Sequence, residues 1–240
     1  MRLLVAMTAN ILFFVMTASV AWAVSDAESL ANVNSRLDKS AAEFQSMSAN
    51  IEWIDHTKVI NEDSRQAGTV RLKKAKAGLL GGAPVTGLIG FTEPDAKTIS
   101  LNGPEIHIYY PKMKTVQIWD LGRQGDQFFQ FVLLGFGTTS ADLRRNYNVR
   151  VVGPETLGDT KTTRLELKPK TKQIQEYLSA IDLWIPEDSG YPVQEILHQK
   201  SGDTTTIRYT QAKFNAPMTD KQLAIDLPAG VKKEYPQKSK

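Results

Sequence analysis

The sequence predicts a mainly β protein: an antiparallel sheet or barrel of about ten or eleven strands, apolar on one face and covered by two helices. Three observations carry this. Apolar and polar residues alternate over most of the chain after about residue 48, the period of a half-buried strand. Turn signals separate the alternating runs at the spacing of an all-β sheet. Only two stretches, 25–47 and one beginning after Gly137, have the spacing of an amphipathic helix.

The chain opens on Arg2, an apolar run from Leu3 to about Val20, and Ala21-Trp22-Ala23. This is the pattern of a secretory signal peptide, residues 1–23, with a small-residue cleavage site. Cleavage after Ala23 leaves 217 residues, expected as one domain, 24–240, and exported. No cysteine follows the site, so neither a lipid anchor nor a disulfide framework is available.

The first predicted helix places Leu30, Val33, Leu37, Ala41, Phe44 and Met47 on one face, with Ser25 and Glu28 spaced as a capping box. Strands follow: Ala49, Ile51 and Trp53 alternate, then Val70 and Leu72. A meander comes next, with Ile99 and Leu101, a turn at Asn102-Gly103, Ile106, Ile108 and Tyr110, a turn at 111–114, then Val116 and Ile118. Gly78 to Gly90, with five glycines, reads as a flexible loop inserted between two strands. Later strands carry Leu165 and Leu167, then Ile181, Leu183 and Ile185, then Val193 and Leu197 on a shared face, then Ile207 and Tyr209. Leu223, Ile225 and Leu227 read as the last strand, and the basic 231–240 segment as a solvated tail.

Catalytic and nucleic-acid chemistry find little support. Once Arg2 is removed, 28 basic residues face 26 acidic ones, which leaves no electrostatic footprint for nucleic acid. His56, His107 and His198 stand far apart and read as strand-surface residues rather than metal ligands. There is no G-x-S-x-G elbow, no phosphate-binding lysine loop and no calcium loop. The carboxylates Glu187-Asp188 and Glu93/Asp95 sit beside prolines and read as turn chemistry. The expectation is therefore a binding protein with no cofactor and no metal.

The run Phe128, Phe129, Phe131, Val132, Leu133, Leu134 and Phe136 asks what hides it. It is too short to cross a bilayer, which takes about 20 apolar residues. It reads instead as a segment lying across the open face of a curved sheet. Gly135 and Gly137 form its hinge, and a short helix follows, capped at Thr138, Thr139 or Ser140 and carrying Leu143 and Tyr147. A wide curved sheet under so thin a lid is one way to build an apolar cavity.

The order of short motifs resembles the LolA family of outer-membrane lipoprotein carriers. They are Gly68-x-Val70-x-Leu72, Phe91-x-x-Pro94, the run from Leu101 to Lys112 with Gly103, "LELKPK" from Leu165, "IDLWI" from Ile181, "FNAPM", and a final "LPAGV". The resemblance spans nearly the whole mature chain. It implies a half-open antiparallel β-barrel with a helical lid, whose cavity takes up the acyl chains of lipoproteins. It also implies a periplasmic location, an inner-membrane ABC transporter as donor and an outer-membrane acceptor. Lys73 and Lys74 with no adjacent proline depart from the family pattern, and the arginine tied to cargo handoff has no clear counterpart.

The expected lining is Ile51, Trp53, Val70, Leu72, Ile99, Leu101, Ile106, Ile108, Val116 and Ile118, joined by Phe128, Phe131 and Leu134. The expected lid and hinge are Leu30, Leu37, Phe44, Gly135, Gly137 and Leu143. A monomeric carrier of lipoproteins or another lipid is the leading expectation. A lipid-sensing or scaffold module of the same fold is the alternative.

Overall fold

The computed structural model describes residues 18–74, 85–102, 105–120 and 134–236. Twelve strands among them form one sheet: β1 (Ser46–Thr57), β2 (Glu62–Lys74), β3 (Val85–Glu93), β4 (Lys97–Asn102), β5 (Glu105–Tyr110), β6 (Thr115–Asp120), β7 (Tyr147–Leu157), β8 (Thr160–Pro169), β9 (Leu178–Pro186), β10 (Gln194–Gln199), β11 (Thr204–Phe214) and β12 (Lys232–Glu234). Their spatial order is β12-β6-β5-β4-β3-β2-β1-β11-β10-β9-β8-β7. The sheet is a pair of meanders joined at β1 and β11, antiparallel except where β12 runs parallel to β6. It is not closed, and β12 and β7 are its two ends.

Three helices among the described residues accompany it: α1 (Ala18–Glu43), α2 (Ser140–Asn146) and α3 (Lys172–Gln175). With residues 18–23 attached, helix α1 runs from Ala18 through Ser25, which lies inside it. It also ends earlier than its apolar spacing suggests. The chain is taken into the sheet at Ser46, where Asn215 N–H donates to the Ser46 carbonyl and Lys74 N–H to that of Gln45. Met47 is therefore a strand residue, and Phe44 fills the core just past the helix end. Helix α2 begins as its sequence announces: Thr139 accepts from Asp142 N–H, and the Asp142 carboxylate accepts from Thr139 N–H, a capping box. The four-residue α3, capped by Thr171, has too little periodicity to be read from sequence.

Helix α1 is held by polar contacts at three places. Asp38 accepts from Ser140 N–H at 2.7 Å and from the Ser140 hydroxyl at 2.8 Å. Gly190 N–H donates to Ser40 Oγ at 2.9 Å, and the Tyr191 hydroxyl donates to the Ser40 carbonyl, also at 2.9 Å. Arg36 reaches Thr163 Oγ1. Gly190 lies so close beneath the helix that a Cβ placed there would stand 2.2 Å from the Arg36 carbonyl oxygen.

Three sequence expectations are corrected here. The 85–90 part of the glycine-rich stretch is strand, because Val85, Ile89 and Phe91 alternate inward while Gly87 fits against Leu72, where a side chain would crowd it; residues 78–84 lie outside the described residues. Leu223 ends a 3₁₀ turn, Asp220–Leu223, and no strand forms at 223–227. The basic tail instead supplies β12: Lys232 to Glu234 pair with Thr115 to Gln117 along the edge of β6.

The far face of the sheet is also less wet than alternation suggests. The 3₁₀ turn lies against β2 and β3 on that side, with Lys73 bonded to Asp220 at 2.7 Å and Arg71 to the Gln222 carbonyl at 3.4 Å. Strand β9 is buried on both faces. Its outward Asp182 accepts from Arg164 at 2.7 Å and pairs with His198 at 2.9 Å, while Arg164 lies over the Trp184 ring.

Candidate functional site

Directly paired residues of neighbouring strands point to the same face, so the registers define rows across the inner face. One row runs Met47, Leu72, Gly87, Leu101, Ile106, Trp119. The next runs Ala49, Val70, Ile89, Ile99, Ile108 and ends at Gln117. On the other half of the sheet a row runs from Trp53 through Ile207, Glu195, Leu183 and Leu165 to Val151. The inner face is thus an apolar surface across both meanders.

The side chains divide into two packed groups. The first gathers Ile51, Val70, Leu72, Leu101, Ile106 and Phe44 with Ile89, Phe91, Ile207 and an aromatic set, Phe136, Tyr191 and Tyr209. Phe136 meets Tyr209 edge-on at 5.1 Å, and Tyr191 stacks on Phe214 at 3.9 Å. The second, under α1 and α2, gathers Leu37, Leu134 and Leu143 with Val33, Tyr147, Leu165, Leu183 and Ile185, and Leu30 packs at its margin. The difference between the groups matters for binding. The second group is closed by helices, whereas Trp53, Ile99, Ile108 and Trp119 on the inner face of the first remain only half-buried.

Most expected lining residues thus share one face, with two exceptions. Because Ile106 pairs with Trp119 and Ile108 with Gln117, the inward positions of β6 are odd-numbered, and Val116 and Ile118 point to the opposite side. Apolar alternation on β6 misleads because its outer face is also covered: Val116 is 1% exposed and its partner Tyr109 is buried. Phe128 and Phe131 lie outside the described residues. The described end of their stretch is fully packed, with Leu134 in one group and Phe136 in the other. Gly135 and Gly137 both adopt left-handed backbone, φ 89° and 71°, a region glycine enters without cost. Gly135 also rests on Pro192, where a Cβ would lie 2.7 Å from the ring.

Glu195 was not among the expected site residues. It stands in the middle of the apolar row between Ile207 and Leu183, fully buried, at the seam of the two packed groups. The Tyr209 hydroxyl donates to its Oε1 at 3.3 Å, while Oε2 and the buried Tyr147 hydroxyl have no partner among the described residues. Burial raises the Glu195 carboxyl well above its ordinary range, partly offset by the Tyr209 hydrogen bond, so the group is held neutral. The signal was available: if Val193 and Leu197 share a face, so does the residue between them. A second polar spot lies at the margin, where Asp55 accepts from Trp53 Nε1 at 3.0 Å and Thr205 Oγ1 at 2.7 Å. Near it Lys97 sits over the Phe91 ring, its pKa lowered by burial against the opposing pull of Asp55.

The histidines sit apart in carboxylate pairs: His56 with Asp63, His107 with Glu105, and His198 with Asp182. No group of three or more metal-binding side chains occurs among the described residues. No helix among them is long and apolar enough to cross a membrane.

Comparison with known proteins agrees with this geometry. The family described as outer membrane lipoprotein carrier protein LolA matches residues 89–226, more than half of the chain. No curated protein sequence matches the chain. An uncharacterized conserved protein from Thermus thermophilus is similar in structure, with TM-score 0.53 and 13% identity over 86% of this chain and 99% of that one. MucB is similar with TM-score 0.50 and 14% identity over 83% of this chain and 63% of its own. The Mycobacterium tuberculosis lipoprotein LppX gives TM-score 0.46 and 13% identity over 81% and 98%. At these identities the likeness to the first two is one of fold.

Proposed function

This chain belongs to the outer membrane lipoprotein carrier protein family LolA, and on that premise we propose that it is a periplasmic carrier. Its inner face holds the acyl chains of a lipoprotein or another lipid, and the protein moves them from the inner to the outer membrane. Residues 1–23 are its export signal and 24–240 its single binding domain. An inner-membrane ABC transporter supplies the cargo and an outer-membrane acceptor takes it.

The observation that carries the reading is the half-buried set Trp53, Ile99, Ile108 and Trp119 on an otherwise packed apolar face. These are apolar surfaces that an acyl chain would take from water at about 25 cal/mol per Å². Full enclosure of three acyl chains, at about 0.8 kcal/mol per methylene, would bind too tightly for release, and a partly open site avoids that. No covalent step is required, and the protein acts as a binder rather than an enzyme.

Lipid extraction tests the reading. Protein purified from its native compartment without detergent is expected to carry acylated material detectable by mass spectrometry, or to take up a fluorescent fatty acid when stripped. Failure of both would refute it. Depletion separates carrier from sensor: loss of a carrier strands lipidated proteins in the inner membrane, whereas loss of a sensor changes a response and leaves cargo in place.

A further inference from the structure

We propose that the end of the sheet reached by β1, β3, β5, β8 and β10 is a docking surface for an anionic lipid bilayer. Because neighbouring strands are antiparallel, these five strands all run toward the same end. Of the loops that follow them, the registers bring 58–61, 170–177 and 200–203 level as one leading rim and set 94–96 and 111–114 back along the sheet.

Two features of the rim point to a bilayer. Turn tips are ordinarily polar, yet here exposed apolar side chains occupy them: Val59 is 90% exposed, Ile60 60% and Tyr177 64%. The same loops contain Lys58, Lys170, Lys172 and Lys200 against Glu176 and Asp203. The excess of two positive charges equals the net of +2 that remains once Arg2 is removed. Apolar tips among lysines suit a surface that offers hydrocarbon at shallow depth beneath anionic headgroups.

The rim is held rigidly. Lys58 N–H donates to Asp203 at 2.9 Å, and Lys200 N–H donates to the Tyr177 carbonyl at 3.1 Å. The β1–β2 hairpin also projects: β2 pairs with β1 out to Glu62, but with β3 only as far as Ala67. Those five further residues carry Val59 and Ile60 about 16 Å beyond the β3 pairing, at 3.3 Å per residue. The tip therefore meets a flat surface ahead of the sheet beside it.

Co-sedimentation with vesicles tests this on the full mature chain. Vesicles of phosphatidylethanolamine with a quarter phosphatidylglycerol are expected to bind the protein, and phosphatidylcholine vesicles to bind it at least about ten-fold more weakly, since each basic residue near an anionic surface contributes roughly five-fold. The double change Val59→Asp/Ile60→Asp should lower binding by more than about ten-fold, with an unchanged melting temperature because both side chains are exposed. Lys172→Glu/Lys200→Glu should lower it by a similar factor, and Val152→Asp, an exposed valine outside the rim, should leave it intact. The proposal is overturned if the wild type does not bind anionic vesicles, if it binds neutral ones equally, or if the tip variant binds as well as wild type. Capture of a protein by the rim without vesicle binding would overturn it too. None of these outcomes depends on whether the inner face holds an acyl chain.

Discussion

Replacing Gly190 with alanine is expected to destabilise the protein by about 3 kcal/mol, at the upper end of ordinary overpacking costs. A drop in melting temperature of roughly 10 °C would follow for a domain of this size. The cause is backbone against backbone: the new Cβ would stand 2.2 Å from the Arg36 carbonyl oxygen and 2.8 Å from Leu37 N. No rotamer relieves that contact, so either α1 lifts or the 187–193 loop shifts. Either movement breaks the Gly190 and Tyr191 hydrogen bonds to Ser40 and loosens Leu37 over the second packed group. Gly158→Ala is the control. There φ is 58° but no atom lies within 4 Å, so only the left-handed penalty of about 1–2 kcal/mol applies. Thermal melts of the two variants should differ clearly. Equal melting temperatures would show that α1 does not rest on Gly190.

The second large effect concerns Glu195 and pH. Its carboxyl titrates well above the ordinary range when folded and at the ordinary value, about 4.3, when unfolded. Between those two values the folded state binds one proton more, so stability falls as pH rises. The contribution of Glu195 is complete below the unfolded pKa. It is lost progressively above it until the folded group ionises, at a slope of up to about 1.4 kcal/mol per pH unit. Glu195→Gln keeps the shape and an acceptor for the Tyr209 hydroxyl but cannot ionise. Denaturant unfolding is expected to give similar stability for the two proteins near pH 4 and a growing advantage for the glutamine variant toward pH 8. Parallel pH profiles would mean that Glu195 is not held neutral inside the fold.

Where local pattern and tertiary environment agree, the fold is legible from sequence. The alternation of Ile99, Leu101, Ile106 and Ile108 gave β4 and β5 and their shared face, and the capping pattern around Thr139 gave α2. Strand β3 was hidden because glycine-rich composition reads as loop, whereas Gly87 is there to fit against Leu72. Strand β12 was hidden because Lys-Lys-Glu has no strand preference of its own and is extended only by pairing with β6. The inward parity of β6 was misread because burial of Val116 on the far face imitates a core pattern. For the candidate site, face and composition could be read from alternation. The inward position of Glu195 could be read from Val193 and Leu197, but its enclosure as a neutral carboxylate followed only when the register put it between Ile207 and Leu183.

The central claim, that the inner face is where an acyl chain lies, is tested most directly by quenching tryptophan fluorescence with fatty acids brominated along the chain. Trp53 and Trp119 are half-buried on the inner face, while Trp184 is on the outer face beneath Arg164. In a Trp184→Phe background the remaining fluorescence of the mature protein is expected to fall by more than about half at saturation, because bromine quenches only near contact and both rings lie where the chain would pack. In a Trp53→Phe/Trp119→Phe background, Trp184 alone should keep its intensity. Quenching of Trp184 with Trp53 and Trp119 unaffected, or no quenching of any of the three, would contradict the assignment of the inner face as the binding site.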